Sequence, residues 1–105
     1  MKIRIEFSNA AQIDFEAIIA FYYPLNKKTA SRYYSEILQR IESLAAFPEI
    51  GRIVPEFENE FYDRYRELIC EHFIIIYRIE GEGIAILRMI DGRRLLRLDM
   101  IAGVE

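Results

Sequence analysis

A chain of 105 residues makes one domain, with enough apolar side chains (52%) to build a core and enough charge (30%) to stay soluble. A single cysteine excludes a disulfide framework or a cysteine metal cluster, and a formal net charge of −3 argues against a dedicated nucleic-acid binder. No apolar run approaches the roughly 20 residues that a membrane helix needs, so a cytoplasmic protein without a membrane segment is expected.

The start of the chain alternates charge and hydrophobe. Ile3, Ile5 and Phe7 face one way and Lys2, Arg4 and Glu6 the other, which reads as a half-buried strand rather than a secretory leader. Ser8 or Asn9 then caps a first helix, with Ala11, Phe15, Ile18, Ile19 and Tyr22 at helical spacing. Pro24 ends that helix because it disfavours helical geometry at Tyr23. Asn26 caps a second helix, whose stripe is Ala30, Tyr33, Tyr34, Ile37, Ile41 and Leu44, and Pro48 stops it. The short connection makes the pair an antiparallel hairpin. Pro48, Gly51 and Pro55 prevent regular structure in the next stretch, where FENEFYDR reads as a short helical turn.

Three strands follow as a meander. Tyr65 to Glu71 is the first of them, and Phe73 to Ile79 is the most β-branched and aromatic run in the chain. A two-residue turn at Glu71-His72 pairs Cys70 with Phe73 and Leu68 with Ile75. That puts Leu68, Cys70, Phe73, Ile75 and Tyr77 on one face, assigned to the helices. Ile84 to Ile90 forms the last strand, and Asp91-Gly92 turns the chain. The second hairpin admits two registers. A two-residue turn at Gly81-Glu82 points Arg88 towards the helices; a three-residue loop points it away. The three-residue loop is preferred, because an arginine beneath the helices needs a buried partner. Ile74 and Ile76 lie opposite Phe73 and Ile75, so the uncovered face of the sheet is expected to be an apolar binding surface.

Charge is unevenly spread. Eleven of the fourteen basic residues are arginine, and Arg88, Arg93, Arg94 and Arg97 cluster near the end against Asp91 alone. Arginine suits planar contacts to phosphate or carboxylate. The competing reading pairs these arginines with Glu49, Glu56 or Glu60 of the same molecule. His72 is the sole histidine and the natural general-base candidate, but it stands in a hairpin turn with no acid at motif spacing. Cys70 reads as a small buried hydrophobe, and Tyr22, Tyr23, Tyr33 and Tyr34 as helix packing. No metal-ligand spacing or phosphate loop is present, so neither a metal nor a cofactor is expected.

Taken in order, these pieces resemble the RelE/ParE superfamily of type II toxin–antitoxin systems, and its ParE-like branch in particular. The resemblance rests on Ser8, Ala11, Asp14, Ile18 and Tyr22; on Phe47-Pro48-Glu49-Ile50-Gly51-Arg52 and Val54-Pro55-Glu56; on Tyr65-Arg66-Glu67-Leu68-Ile69; on Phe73 through Ile79; and on Ile86 through Arg94. It implies one α+β domain over residues 1–105: an N-terminal strand, a two-helix antiparallel hairpin and a three-stranded antiparallel meander, with the helices on one face of the sheet. It also implies a toxin held by a cognate antitoxin, in a toxin–antitoxin hetero-oligomer. Ile74, Ile76, Ile84 and Ile86 are the expected antitoxin contacts; Arg88, Arg93, Arg94 and Arg97 are the expected target contacts. ParE-like members poison DNA gyrase, whereas RelE-like members cut mRNA on the ribosome. A RelE-like enzyme would rely here on Arg52, Arg66 and Arg94. The C-terminal tyrosine of that branch is missing, with Met100 near its place, and Ile69 replaces a basic residue. The ParE-like reading, inhibition by binding, is therefore preferred. A non-toxic homologue that only binds antitoxin is the further alternative.

Overall fold

The computed structural model describes residues 3–54 and 65–93. Strand β1 (Arg4–Phe7) leads into helix α1 (Asn9–Tyr22) and helix α2 (Lys27–Glu42), which tightens into a 3₁₀ turn at Ser43–Ala45. Strands β2 (Arg52–Ile53), β3 (Tyr65–Cys70), β4 (Phe73–Glu80) and β5 (Gly83–Asp91) complete one sheet in the order β1-β5-β4-β3-β2. Every neighbour pair is antiparallel except β1 with β5, which is parallel. The α+β architecture is the expected one. The two-residue β2 and the place of β1 beside β5 were not read from the sequence. The FENEFYDR stretch lies outside the described residues, as do Arg94, Arg97 and Met100.

Local chemistry explains the helix bounds. Ser8 is the N-cap of α1, its hydroxyl accepting from the Ala11 N–H, and Asn26 caps α2 through the Thr29 N–H. The sheet meets the helices through Leu68, Phe73, Ile75, Tyr77, Ile84, Ile86 and Met89. These pack with Ala11 and Ile18 of α1 and with Tyr33, Ile37 and Ile41 of α2. The first hairpin has the expected register, Cys70 opposite Phe73 and Leu68 opposite Ile75.

The second hairpin corrects the expectation. Its turn has two residues, Gly81 and Glu82, with Glu80 opposite Gly83. Ile84 and Ile86, only 2% and 0% exposed, therefore lie in the core beneath the helices, not on the outer face with Ile74 and Ile76. A β-bulge then intervenes: Tyr77 pairs with Ile86, but Ile76 pairs with Arg88, leaving Leu87 as the extra residue. Alternation resumes one residue out of step, so Met89 and Asp91 point inward and Arg88 stays out. Arg88 thus points as expected, but by a bulge rather than by a longer loop.

Tyr77 ties the irregular loop to the sheet. Its ring is fully buried, its hydroxyl donates to the Pro48 carbonyl at 2.8 Å, and it accepts from the Gly51 N–H at 2.9 Å. A side chain at Gly51 would meet the Tyr77 ring and hydroxyl at 2.6 Å and the Glu67 carbonyl at 2.7 Å, so only glycine fits. Arg66 adds a bond to the Gly51 carbonyl at 2.7 Å. Tyr77→Phe should lower unfolding free energy by about 1–3 kcal/mol, because two backbone groups lose their partner. Urea denaturation checks this, and a midpoint equal to wild type would count against the anchor.

Candidate functional site

Ser8, the N-cap of α1, and Asp14 and Tyr22 within it each have a hydrogen-bond partner on β5, with Ala11 and Ile18 buried between them. Ser8 donates its hydroxyl to the bulge carbonyl, Leu87 O, at 2.9 Å, and its N–H bonds to the Ile86 carbonyl. Six residues on, Asp14 accepts from the Met89 N–H at 2.9 Å and takes both Arg88 Nε (2.7 Å) and Nη2 (3.1 Å). Burial works against ionisation of Asp14, yet Arg88 and the Met89 N–H together hold its carboxyl below the usual range. Ile18 fills the core, and Tyr22 closes the row at Asp91. The spaced residues of α1 thus zip the helix along β5 past the end of β1.

At the far end of that row stands a part-buried polar cluster. The Tyr22 hydroxyl donates to Asp91 Oδ2 at 2.6 Å and lies 3.1 Å from His72 Nε2. His72 Nε2 is 3.5 Å from Asp91 Oδ1, which also accepts the Arg93 N–H at 3.1 Å. Asp91 is 7% exposed, and Tyr33 and Phe73 wall the cluster with their rings. Burial and the Asp91 carboxylate push the Tyr22 hydroxyl well above its ordinary pKa. Burial also holds His72 below its ordinary value, outweighing the attraction of Asp91. So His72 does have an acid beside it, delivered by β5 rather than by sequence spacing.

The arginines expected at a target surface, or at a RelE-like catalytic site, divide. Arg88 is engaged by Asp14, and Arg52 forms an ion pair with Glu67 across the β2–β3 ladder. Arg66 is spent on the Gly51 and Glu49 carbonyls. Arg93 is exposed beside the cluster. Among the described residues no group of His, Cys, Asp and Glu could hold a metal ion. Cys70 is buried, and burial pushes its thiol up.

A second feature was not read from the sequence. Phe7, Phe15 and Tyr34 form a stacked ladder, with centroids 6.4 and 5.3 Å apart. Beside it runs a groove of about 560 Å³, lined mainly by Phe7, Phe15, Ile19, Ala20, Tyr23 and Tyr34. Tyr23 and Tyr34 are each 49% exposed. On the outer sheet face, Ile74 and Ile76 are half-buried and Ile69 is exposed.

His72 predicts a pH effect on stability. Its folded pKa lies below its unfolded one, so the unfolded chain binds the proton first as pH falls. Stability should be complete above about pH 6.5 and decline below it. His72→Asn should flatten the melting temperature between about pH 7 and 5, a range in which no other side chain of the chain ordinarily titrates. An equal decline in wild type and variant would contradict this.

Comparison with known proteins fits the geometry. The family model described as ParE toxin of type II toxin-antitoxin system, parDE, matches residues 5–96. The structure resembles one from the chromosomal ParDE toxin–antitoxin system of P. aeruginosa, with TM-score 0.70 and 24% identity over 86% of this chain and 96% of that one. It also resembles the solution structure of a conserved hypothetical protein from Helicobacter pylori, more weakly, with TM-score 0.37 and 13% identity over 83% and 91% of the two chains. No curated protein matches. No helix among the described residues is long and apolar enough to cross a membrane. With residues 5–96 of its 105 matched, the chain belongs to the ParE toxin family of type II toxin–antitoxin systems.

Proposed function

We propose that this chain is a toxin that acts by binding DNA gyrase, and that a cognate antitoxin neutralises it at the apolar groove beside the Phe7–Phe15–Tyr34 ladder. The observation that carries the first part is where the cations go. A ribonuclease needs free cationic groups around the scissile phosphate. Arg52 and Arg66 are instead engaged by Glu67 and by loop carbonyls, so they brace the loop before the sheet. Arg93 remains exposed, and with Arg94 and Arg97 in the same run of sequence it supplies a basic contact for a target.

For the antitoxin, the groove supports a different surface from the four isoleucines. Ile84 and Ile86 have no area to offer, and Ile74 and Ile76 offer part of theirs. The groove presents Phe7 of β1, Phe15 of α1, Tyr34 of α2 and Tyr23 just past α1, large aromatic side chains suited to anchor an amphipathic segment. Arg93 is not among the residues that line it, so a bound antitoxin would block the target by bulk or by reach.

Induced expression of the chain alone should arrest growth with cellular messages intact, and co-expressed antitoxin should relieve the arrest. Tyr34→Glu should keep its toxicity and escape that relief. Messages cut at the ribosome would replace the reading with a nuclease, and normal growth would leave only a binding module.

A further inference from the structure

The Tyr22–His72–Asp91 cluster has no role in the function as proposed, yet it ties together three elements around the buried Asp91. We propose that it is a latch: Asp91, held by Tyr22, fixes the backbone at Gly92–Arg93, so that Tyr22 and Asp91 are positioning residues for the contact of Arg93 with an acidic or phosphate-bearing target surface. The role in target contact rests on the toxin reading above; the latch itself does not.

Three bonds converge where β5 ends. Asp91 Oδ1 accepts the Arg93 N–H, Asp91 Oδ2 accepts the Tyr22 hydroxyl, and the Gly92 N–H bonds to the His72 carbonyl at 2.8 Å. A side chain at Gly92 would meet that same carbonyl at 2.8 Å, so the chain can approach the β3–β4 turn this closely only as glycine. The last turn of α1, the β3–β4 turn and the exit of β5 are thereby joined at one point.

The proton order follows from valence. A carboxylate has only acceptors, so the single hydroxyl proton of Tyr22 goes to Asp91. The Tyr22 oxygen must then accept from His72, which puts the imidazole proton on Nε2. The chain runs His72 Nε2–H to Tyr22 O–H to Asp91. The charged and titratable groups around His72 are Tyr22 of α1, Arg32 and Tyr33 of α2, Glu71 of the turn, and Asp91 and Arg93 at the end of β5. Arg32 is itself committed to Glu71 and Glu36.

Asp91→Asn reverses the order. Its Oδ1 still accepts the Arg93 N–H, but its amide donates to Tyr22, whose proton must turn to His72 Nε2. The imidazole proton then moves to Nδ1. A side chain that merely filled space would not direct this change.

The test uses nitrogen NMR of the sole histidine together with amide exchange of Arg93 in the full chain. Wild type should show the Nε2–H form, and Asp91→Asn the Nδ1–H form. Tyr22→Phe should speed Arg93 exchange by roughly tenfold or more, the effect expected on releasing a bond to a charged group, and should weaken growth arrest. An Nδ1–H wild type, or unchanged Arg93 exchange in Tyr22→Phe, would overturn the latch. Faster exchange with undiminished arrest would overturn the positioning role. If wild type itself does not arrest growth, the toxin reading fails, and with it the role in target contact, while the two NMR results still decide the latch.

Discussion

One extra residue in β5 decides what the rest of the structure can be. Without the bulge at Leu87, the alternation that buries Ile84 and Ile86 would also bury Arg88 and would turn Asp91 outward. A guanidinium in that core would need a buried partner, and among the described residues the sheet-facing side chains of α2 are apolar or aromatic. The bulge keeps the apolar run continuous on the core side while sending Arg88 out to Asp14 and Asp91 in to Tyr22. Its own cost, an unpaired carbonyl at Leu87, is met by the Ser8 hydroxyl. One hydroxyl thus serves both the N-cap of α1 and the irregularity of β5.

From that constraint follows a division of the surface. Most polar groups near the sheet are committed within the molecule: Arg88 to Asp14, Arg52 to Glu67, Arg66 to the loop, and Arg78 to Glu80 and the Tyr65 ring. These contacts orient the frame. The groove at the Phe7–Phe15–Tyr34 ladder and the arginine at the exit of β5 are what the frame holds out. A binding toxin needs such preformed surfaces more than it needs perturbed acids and bases, because rigid presentation lowers the entropic cost of association. The loop that carries Phe47, 63% exposed, is likewise pinned by Tyr77 and Arg66 rather than left free.

Much of this was legible in the chain, for identifiable reasons. Helix limits at Ser8, Pro24 and Asn26 depend on local backbone chemistry, and the first hairpin register follows from a two-residue turn between strands of clear alternation. What was missed is non-local. Nothing in Arg4–Phe7 names β5 as its parallel neighbour. The bulge is stabilised by Ser8, 79 positions from Leu87, so a local reading of Ile84 to Ile90 had to choose a turn length instead. The choice preserved the direction of Arg88 but misplaced Ile84 and Ile86. The polar cluster joins residues 50 and 69 positions apart, and its members read singly as a turn histidine, a packing tyrosine and a turn aspartate. The groove was hidden for a similar reason: Phe7, Phe15 and Tyr34 belong to three different elements.

The measurement that tests the central claim most directly is a supercoiling assay with purified gyrase and this protein, with and without Arg93→Ala. A toxin that acts by binding through the exit of β5 should block supercoiling, and the substitution should relieve much of that block. Gyrase that runs unimpeded at saturating wild-type protein would contradict the account and move the search to another target.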